Sequence, residues 1–205
     1  MSVFTKKTYS KDLLYRMKNP ISKNIDSEVE IEDVIKLSLF KASNGKVIMI
    51  KRKFPHCKGC TNDGLIEIDI DGEIFYGLNE SKLKATQGNR ITALCQSFVY
   101  YNMYPKEIRD KIMFIMLSTK EGCEIIFIPE AMKTIEEISE VCKKEYITPH
   151  EAYKDMDILS AIALNEDYLN NSIAFKWKDY LDLCIPFNMI IDRILKYKND
   201  GNNLK

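Results

Sequence analysis

The 205-residue chain is short of the residues that mark special classes: 8 glycines, 6 prolines, 2 histidines and a single tryptophan. So little glycine and proline excludes collagen-like and low-complexity chains, and a hydrophobic share of 45% excludes disorder. No apolar run approaches the ~18–20 residues of a membrane span, so no membrane contact is expected. The first twenty residues, MSVFTKKTYSKDLLYRMKNP, hold no signal-peptide apolar stretch. A cytoplasmic, reducing location follows as the expectation. The length fits one domain, or one domain with an appended helical part, and allows a real core.

An excess of one charge is also missing, with 30 Lys+Arg against 30 Asp+Glu. The balance is a sum of unlike parts. Residues 1–60 hold 13 basic and 6 acidic side chains, a surplus of +7. Residues 61–145 hold 10 and 15, giving −5, and residues 146–205 hold 7 and 9, giving −2. A basic surface beside an acidic pocket suits an enzyme that uses a metal on a polyanion, although uneven surface charge alone produces the same sums.

Six cysteines stand at 57, 60, 95, 123, 142 and 184. A chain this large needs no disulfide staples, and Cys95, Cys123, Cys142 and Cys184 lie in apolar patterns that read as buried thiols. Cys57-Lys58-Gly59-Cys60, preceded by His56, has the spacing of half a zinc site. A structural zinc site needs four ligands, and no second pair follows; His150 is far along the chain. A loop with two thiols is the simpler reading, with a zinc or redox module as the alternative.

The periodicity predicts an α/β fold. Ser27 is placed to cap a helix to about residue 43, with Glu28, Glu30 and Glu32 in its first turns. Val47–Ile50 reads as a strand. Ile66, Ile68 and Ile70 alternate with Glu67, Asp69 and Asp71, and Asp71-Gly72 is a hairpin signal. The second arm runs over 73–82, with Tyr76, Leu78, Glu80 and Lys82 on one face. A helix over 88–103, strands over 111–117 and 123–128, and helices over 130–145, 149–168 and 173–198 follow, the last broken or kinked at Pro186. The organisation expected is a basic segment over 1–26, a core over 27–145 and a helical extension over 146–205.

One constellation carries chemistry. Glu80-Ser81-Lys82 is the sole acid-x-Lys triplet in the chain. Folding the hairpin at Asp71-Gly72 returns Asp63 to the neighbourhood of Glu80, so two carboxylates converge at one end of the sheet beside Lys82. Such oxygen donors suit Mg²⁺ or Mn²⁺. Gln96 and Tyr100, four apart, share a face of the next helix. Each element has a bland reading: a surface ion pair, a turn aspartate in Asn62-Asp63-Gly64, an ordinary amphipathic helix. Their joint order and spacing is what stands out.

In that order the residues resemble the PD-(D/E)xK nuclease superfamily, with its restriction-endonuclease-like fold. The pattern covers about residues 27–128: Asn62-Asp63-Gly64, then Glu80-Ser81-Lys82, then Gln96-Ser-Phe-Val-Tyr100. Asn62 stands where the family commonly has proline. The resemblance implies a mixed central sheet flanked by helices, and metal-dependent phosphodiester hydrolysis of DNA. Asp63 and Glu80 would hold Mg²⁺ or Mn²⁺ with a carbonyl near Ser81. Lys82 would orient water or neutralise the transition state, and Gln96 and Tyr100 would position the lysine or a phosphate. A first-helix glutamate often joins the site; Glu32 is the choice here and Glu28 the alternative. Lys46, Lys51, Arg52, Lys53 and Lys58 form the patch expected to hold the DNA backbone. A homodimer, placement at the end of a larger protein, and a non-cutting fold that only binds nucleic acid or protein remain open.

Overall fold

The protein is described by a computed structural model covering residues 26–43, 46–50, 61–143, 148–170, 172–176 and 184–202. Helix α1 spans Glu28–Ala42 and is followed by β1, Val47–Ile50. As the sequence suggested, Ser27 caps α1, its hydroxyl accepting the Glu30 N–H at 3.3 Å. Strands β2, Gly64–Ile70, and β3, Glu73–Ser81, form the expected hairpin. Its turn has positive φ at both Asp71 (54°) and Gly72 (84°), the conformation that matches the twist of the flanking strands. Asp69 Oδ1 accepts the Gly72 N–H at 2.8 Å and closes the turn.

Helix α2, Gln87–Met103, and the short α3, Lys106–Arg109, carry the chain to β4, Ile112–Ser118. Because α2 crosses over the sheet, β4 pairs parallel to β3, whereas every other neighbouring pair is antiparallel. Strand β5, Gly122–Phe127, leads through a 3₁₀ turn at Ile128–Ala131 to α4, Met132–Cys142.

The C-terminal third differs from the helical reading. The span 149–168 divides into a 3₁₀ turn at Ala152–Lys154, α5 at Met156–Leu164 and α6 at Glu166–Leu169. Asp155 starts α5 by accepting the Asp157 and Ile158 N–H groups at 3.0 and 3.1 Å. Ile173–Lys176 is not the start of a helix but a strand, β6, antiparallel to β5 with Cys123 opposite Phe175. Ile173 and Phe175 alternate with Ala174 and Lys176, and four residues suffice to extend the sheet at β5. Helix α7 then runs Cys184–Asn202. Pro186 lies near the start of that described span.

The strands lie in the order β1-β2-β3-β4-β5-β6. One face packs against α1 and α7 through Ile31, Ile35, Ile66, Phe114, Ile190 and Ile194. The other packs against α2, α4 and α5 through Leu65, Leu78, Leu94, Phe98, Ile115 and Ile158. Described residues beyond 146 contribute to the sheet through β6 and to both core layers. Close packing at the centre of β3 demands Gly77: a Cβ there would collide with the Phe114 ring. Among the described residues, no helix is long and apolar enough to cross a membrane.

Candidate active site

Alternation along β3 sends Tyr76, Leu78 and Glu80 toward α2, and Phe75, Asn79 and Ser81 toward α1. Gly64 pairs with Asn79, and the same antiparallel register carries Asp63 across from Glu80. Asp63 Oδ2 accepts the Ser81 N–H at 2.8 Å, which fixes its carboxylate against the end of β3. Glu80 is buried, with 3% of its surface exposed. Its Oε1 meets Lys82 Nζ at 2.9 Å, and the same ammonium donates to the Ser81 carbonyl at 3.0 Å. The Lys82 N–H continues the ladder to the Ser118 carbonyl at 2.8 Å. Asp63, Glu80 and Lys82 are therefore brought together, as the motif required.

The cluster is short of positive charge. Burial pushes the Glu80 carboxyl up to about 8, and the neighbouring Asp63 and Glu28 push the same way, against the pull of Lys82. For Lys82, burial works downward, but Glu80, Asp63 and Glu28 outweigh it and hold the ammonium above its usual range. A raised Glu80 implies a proton on the carboxyl, while a raised Lys82 leans on an ionised one. The pair titrates as a unit, and the direction that stands is upward for Glu80, because burial and two carboxylates all oppose its charge. Three carboxylates against one ammonium leave a formal −2 when all are ionised.

Glu28, the alternative to Glu32 among the α1 glutamates, reaches this strand end. Its Oε1 accepts the Leu83 N–H at 3.3 Å, and its charge acts on both Glu80 and Lys82. Glu32 is buried one turn further along the helix.

The α2 residues act on the segment that carries Asp63. Tyr100 donates its hydroxyl to the Thr61 carbonyl at 2.8 Å, and burial with the nearby Glu80 and Asp63 charges holds that phenol upward. Tyr104, one turn on, accepts Asn62 Nδ2 at 2.6 Å. The two tyrosines thus anchor Thr61 and Asn62, the residues before Asp63. Gln96 is buried, and its Oε1 has no hydrogen-bond partner among the described residues. Tyr104 escaped the sequence reading, although its i+4 spacing from Tyr100 is a usable signal.

A second group also went unread. On the α1 side of β3, Ser118 Oγ donates to Asn79 Oδ1 at 2.6 Å, and Asn79 Nδ2 donates to Ser81 Oγ at 3.0 Å. All three residues are buried. This network ties the ends of β3 and β4 together directly behind Glu80 and Lys82. Its signal was the alternation Asn79, Ser81 on a strand face that is otherwise apolar.

The donors that could hold a cation are the Asp63 and Glu80 carboxylates and the Ser81 carbonyl. Among the described residues, no three His, Cys, Asp or Glu side chains gather into a metal-holding group. A metal held by these donors would rest on two carboxylates and backbone or solvent oxygen, which is how Mg²⁺ is commonly held. The fit is good electrically: burial raises Glu80 most, Asp63 and Glu28 add to it, and a divalent cation would offset the carboxylate part. Lys46 is exposed before β1. Lys51, Arg52, Lys53, Lys58, His56, Cys57 and Cys60 lie outside the described residues, and with them the DNA-backbone patch and the zinc alternative.

No protein-family profile, curated protein or solved structure matches the chain.

Proposed function

We propose that the chain is a metal-dependent phosphodiesterase of the PD-(D/E)xK type, hydrolysing DNA in the cytoplasm. The observation that carries the reading is the convergence of Asp63, Glu80 and Lys82 at the end of β3 with a net deficit of positive charge. The order of elements supports it: helix, strand, hairpin, crossover helix, then a strand parallel to the hairpin's second arm.

Asp63, Glu80 and the Ser81 carbonyl are the residues to hold Mg²⁺ or Mn²⁺. When bound, such an ion supplies an acidified water and offsets charge on the phosphate. The chain's own residues do the rest. Lys82, held at 2.9 Å from Glu80, would place a positive donor beside the reacting phosphate. Tyr100 and Tyr104 fix the approach of Asp63, and Glu28 braces Leu83 where the chain leaves β3. Lys51, Arg52, Lys53 and Lys58 are proposed to grip the DNA backbone.

The test is cleavage of supercoiled and linear DNA with Mg²⁺ or Mn²⁺. Nicking or degradation that stops with EDTA, and is lost in Glu80→Ala and Lys82→Ala while the fold persists, is the expected result. Cleavage that survives in the double variant removes the assignment of the site.

A further inference from the structure

A cavity of about 290 Å³ opens directly from the candidate site. Glu80 and Lys82 form one end, and Ala93, Leu117 and Ala174 give it apolar walls. Its side is braced by Arg90, whose guanidinium takes both Glu124 oxygens at 2.7 and 2.8 Å and the Leu169 carbonyl at 3.1 Å. That clamp joins α2, β5 and α6, so the cavity wall is held by three elements. Exposed Lys84, Gln87, Glu121 and Lys176 also line the cavity.

We propose that this cavity receives one unstacked nucleoside of the strand being cut, so that the substrate has an unpaired base beside the scissile phosphate. The inference rests on the phosphodiesterase reading and names the substrate form that reading left open. A phosphate that reaches Glu80 and Lys82 carries a nucleoside on each side, and the adjoining space must take one of them. The walls are apolar, as the faces of a base require, while the exposed lining offers the amide of Gln87 for a base edge and the ammonium groups of Lys84 and Lys176, against the one exposed carboxylate of Glu121, for neighbouring phosphates. The volume lies at the low end of the ~300–1,000 Å³ of small-molecule pockets, room for one nucleoside and too little for a base pair. A base in an intact duplex is stacked and paired, and must be extruded at a cost of about a few kcal/mol before it enters such a pocket. Single strands, frayed ends and mismatches avoid most of that cost.

Ala174 is the residue to change. It is exposed on β6, faces the cavity beside Glu124 and takes no part in the proposed chemistry. Ala174→Trp fills the space, and Ala174→Leu does so more gently should tryptophan disturb the strand. Cleavage is measured on a single-stranded oligonucleotide and on a covalently closed dumbbell duplex of the same sequence. Binding of a deoxynucleoside 5′-monophosphate, with inorganic phosphate as the control, is followed by chemical-shift changes.

The expected result is single-strand cleavage at least about tenfold faster than dumbbell cleavage, with that preference lost in the Ala174 variants. The monophosphate should bind the wild type, and the variants should lose it while phosphate binding stays unchanged. Equal rates on both substrates, unaltered by either variant, overturn the inference and leave the phosphodiesterase reading standing. If nothing is cut, yet the monophosphate binds and the Ala174 variants abolish that binding, the cavity assignment survives and the hydrolytic reading falls. If nothing is cut and no monophosphate binds, both fall.

Discussion

The end of β3 presents two faces that differ in kind. Toward α2 stand Glu80 and, just beyond the strand, Lys82, facing Asp63 across the hairpin. Toward α1 stand Asn79 and Ser81, joined to Ser118. Both faces bury polar groups where the rest of the sheet buries hydrocarbon. The α1 side does so with neutral groups that satisfy one another, so it needs nothing further. The α2 side does so with charges that do not sum to zero, and burial has already pushed a proton toward Glu80. A balanced buried network is a structural device; an unbalanced one is poised for a ligand of opposite charge.

Substitutions should separate the two faces. The largest effect is expected on the charged side: Lys82→Ala should cut the cleavage rate by about 10²-fold or more. Circular dichroism should show the fold retained. A Lys82→Ala protein as active as wild type would make the charged face a mere ion pair.

The next effect is on stability against pH. Glu80 has a folded pKa near 8 against an ordinary 4.5, so the folded state holds a proton that the unfolded state has released. Its contribution is complete below about 4.5 and is lost as the pH rises toward 8. Melting of the metal-free protein should therefore weaken between pH 5 and pH 8, and Glu80→Gln, which keeps the shape without the charge, should flatten that decline.

On the neutral side, Ser118→Ala removes the donor to Asn79 and leaves a buried carbonyl oxygen short of its partner. A loss of about 1–3 kcal/mol in urea unfolding is expected, with a smaller loss of rate than Lys82→Ala causes. Were the rate to fall as far as in Lys82→Ala, the division between the faces would be wrong. The smallest effect belongs to an ion pair in water. Lys133 and Glu137 stand 3.9 Å apart on the exposed side of α4, and Lys133→Ala should cost under about 0.5 kcal/mol.

The charged face was legible in the sequence and the neutral one was not. Glu80 and Lys82 announce themselves because charge is costly on an apolar strand, and Asp71-Gly72 fixes the fold-back that returns Asp63. Asn79, Ser81 and Ser118 are ordinary polar residues, and the pairing of Asn79 with Ser118 depends on the parallel register of β3 with β4, which follows the α2 crossover and no local signal. Strand β6 was hidden for a related reason: Ile173–Lys176 is only four residues long, and its apolar positions merged with those of α7 behind it. Glu28 and Glu32 sit one helical turn apart on the same face, so spacing alone does not choose between them.

The claim that the charged face is a cation site is tested most directly by calorimetric titration of metal-free protein with Mn²⁺ or Mg²⁺ at pH 7, in buffers of different ionisation enthalpy. Ion binding should expel the proton that burial keeps on Glu80, so the wild type should bind with net proton release, and Glu80→Gln should bind far more weakly and release none. Binding without proton release, or binding equally tight in Glu80→Gln, would contradict it.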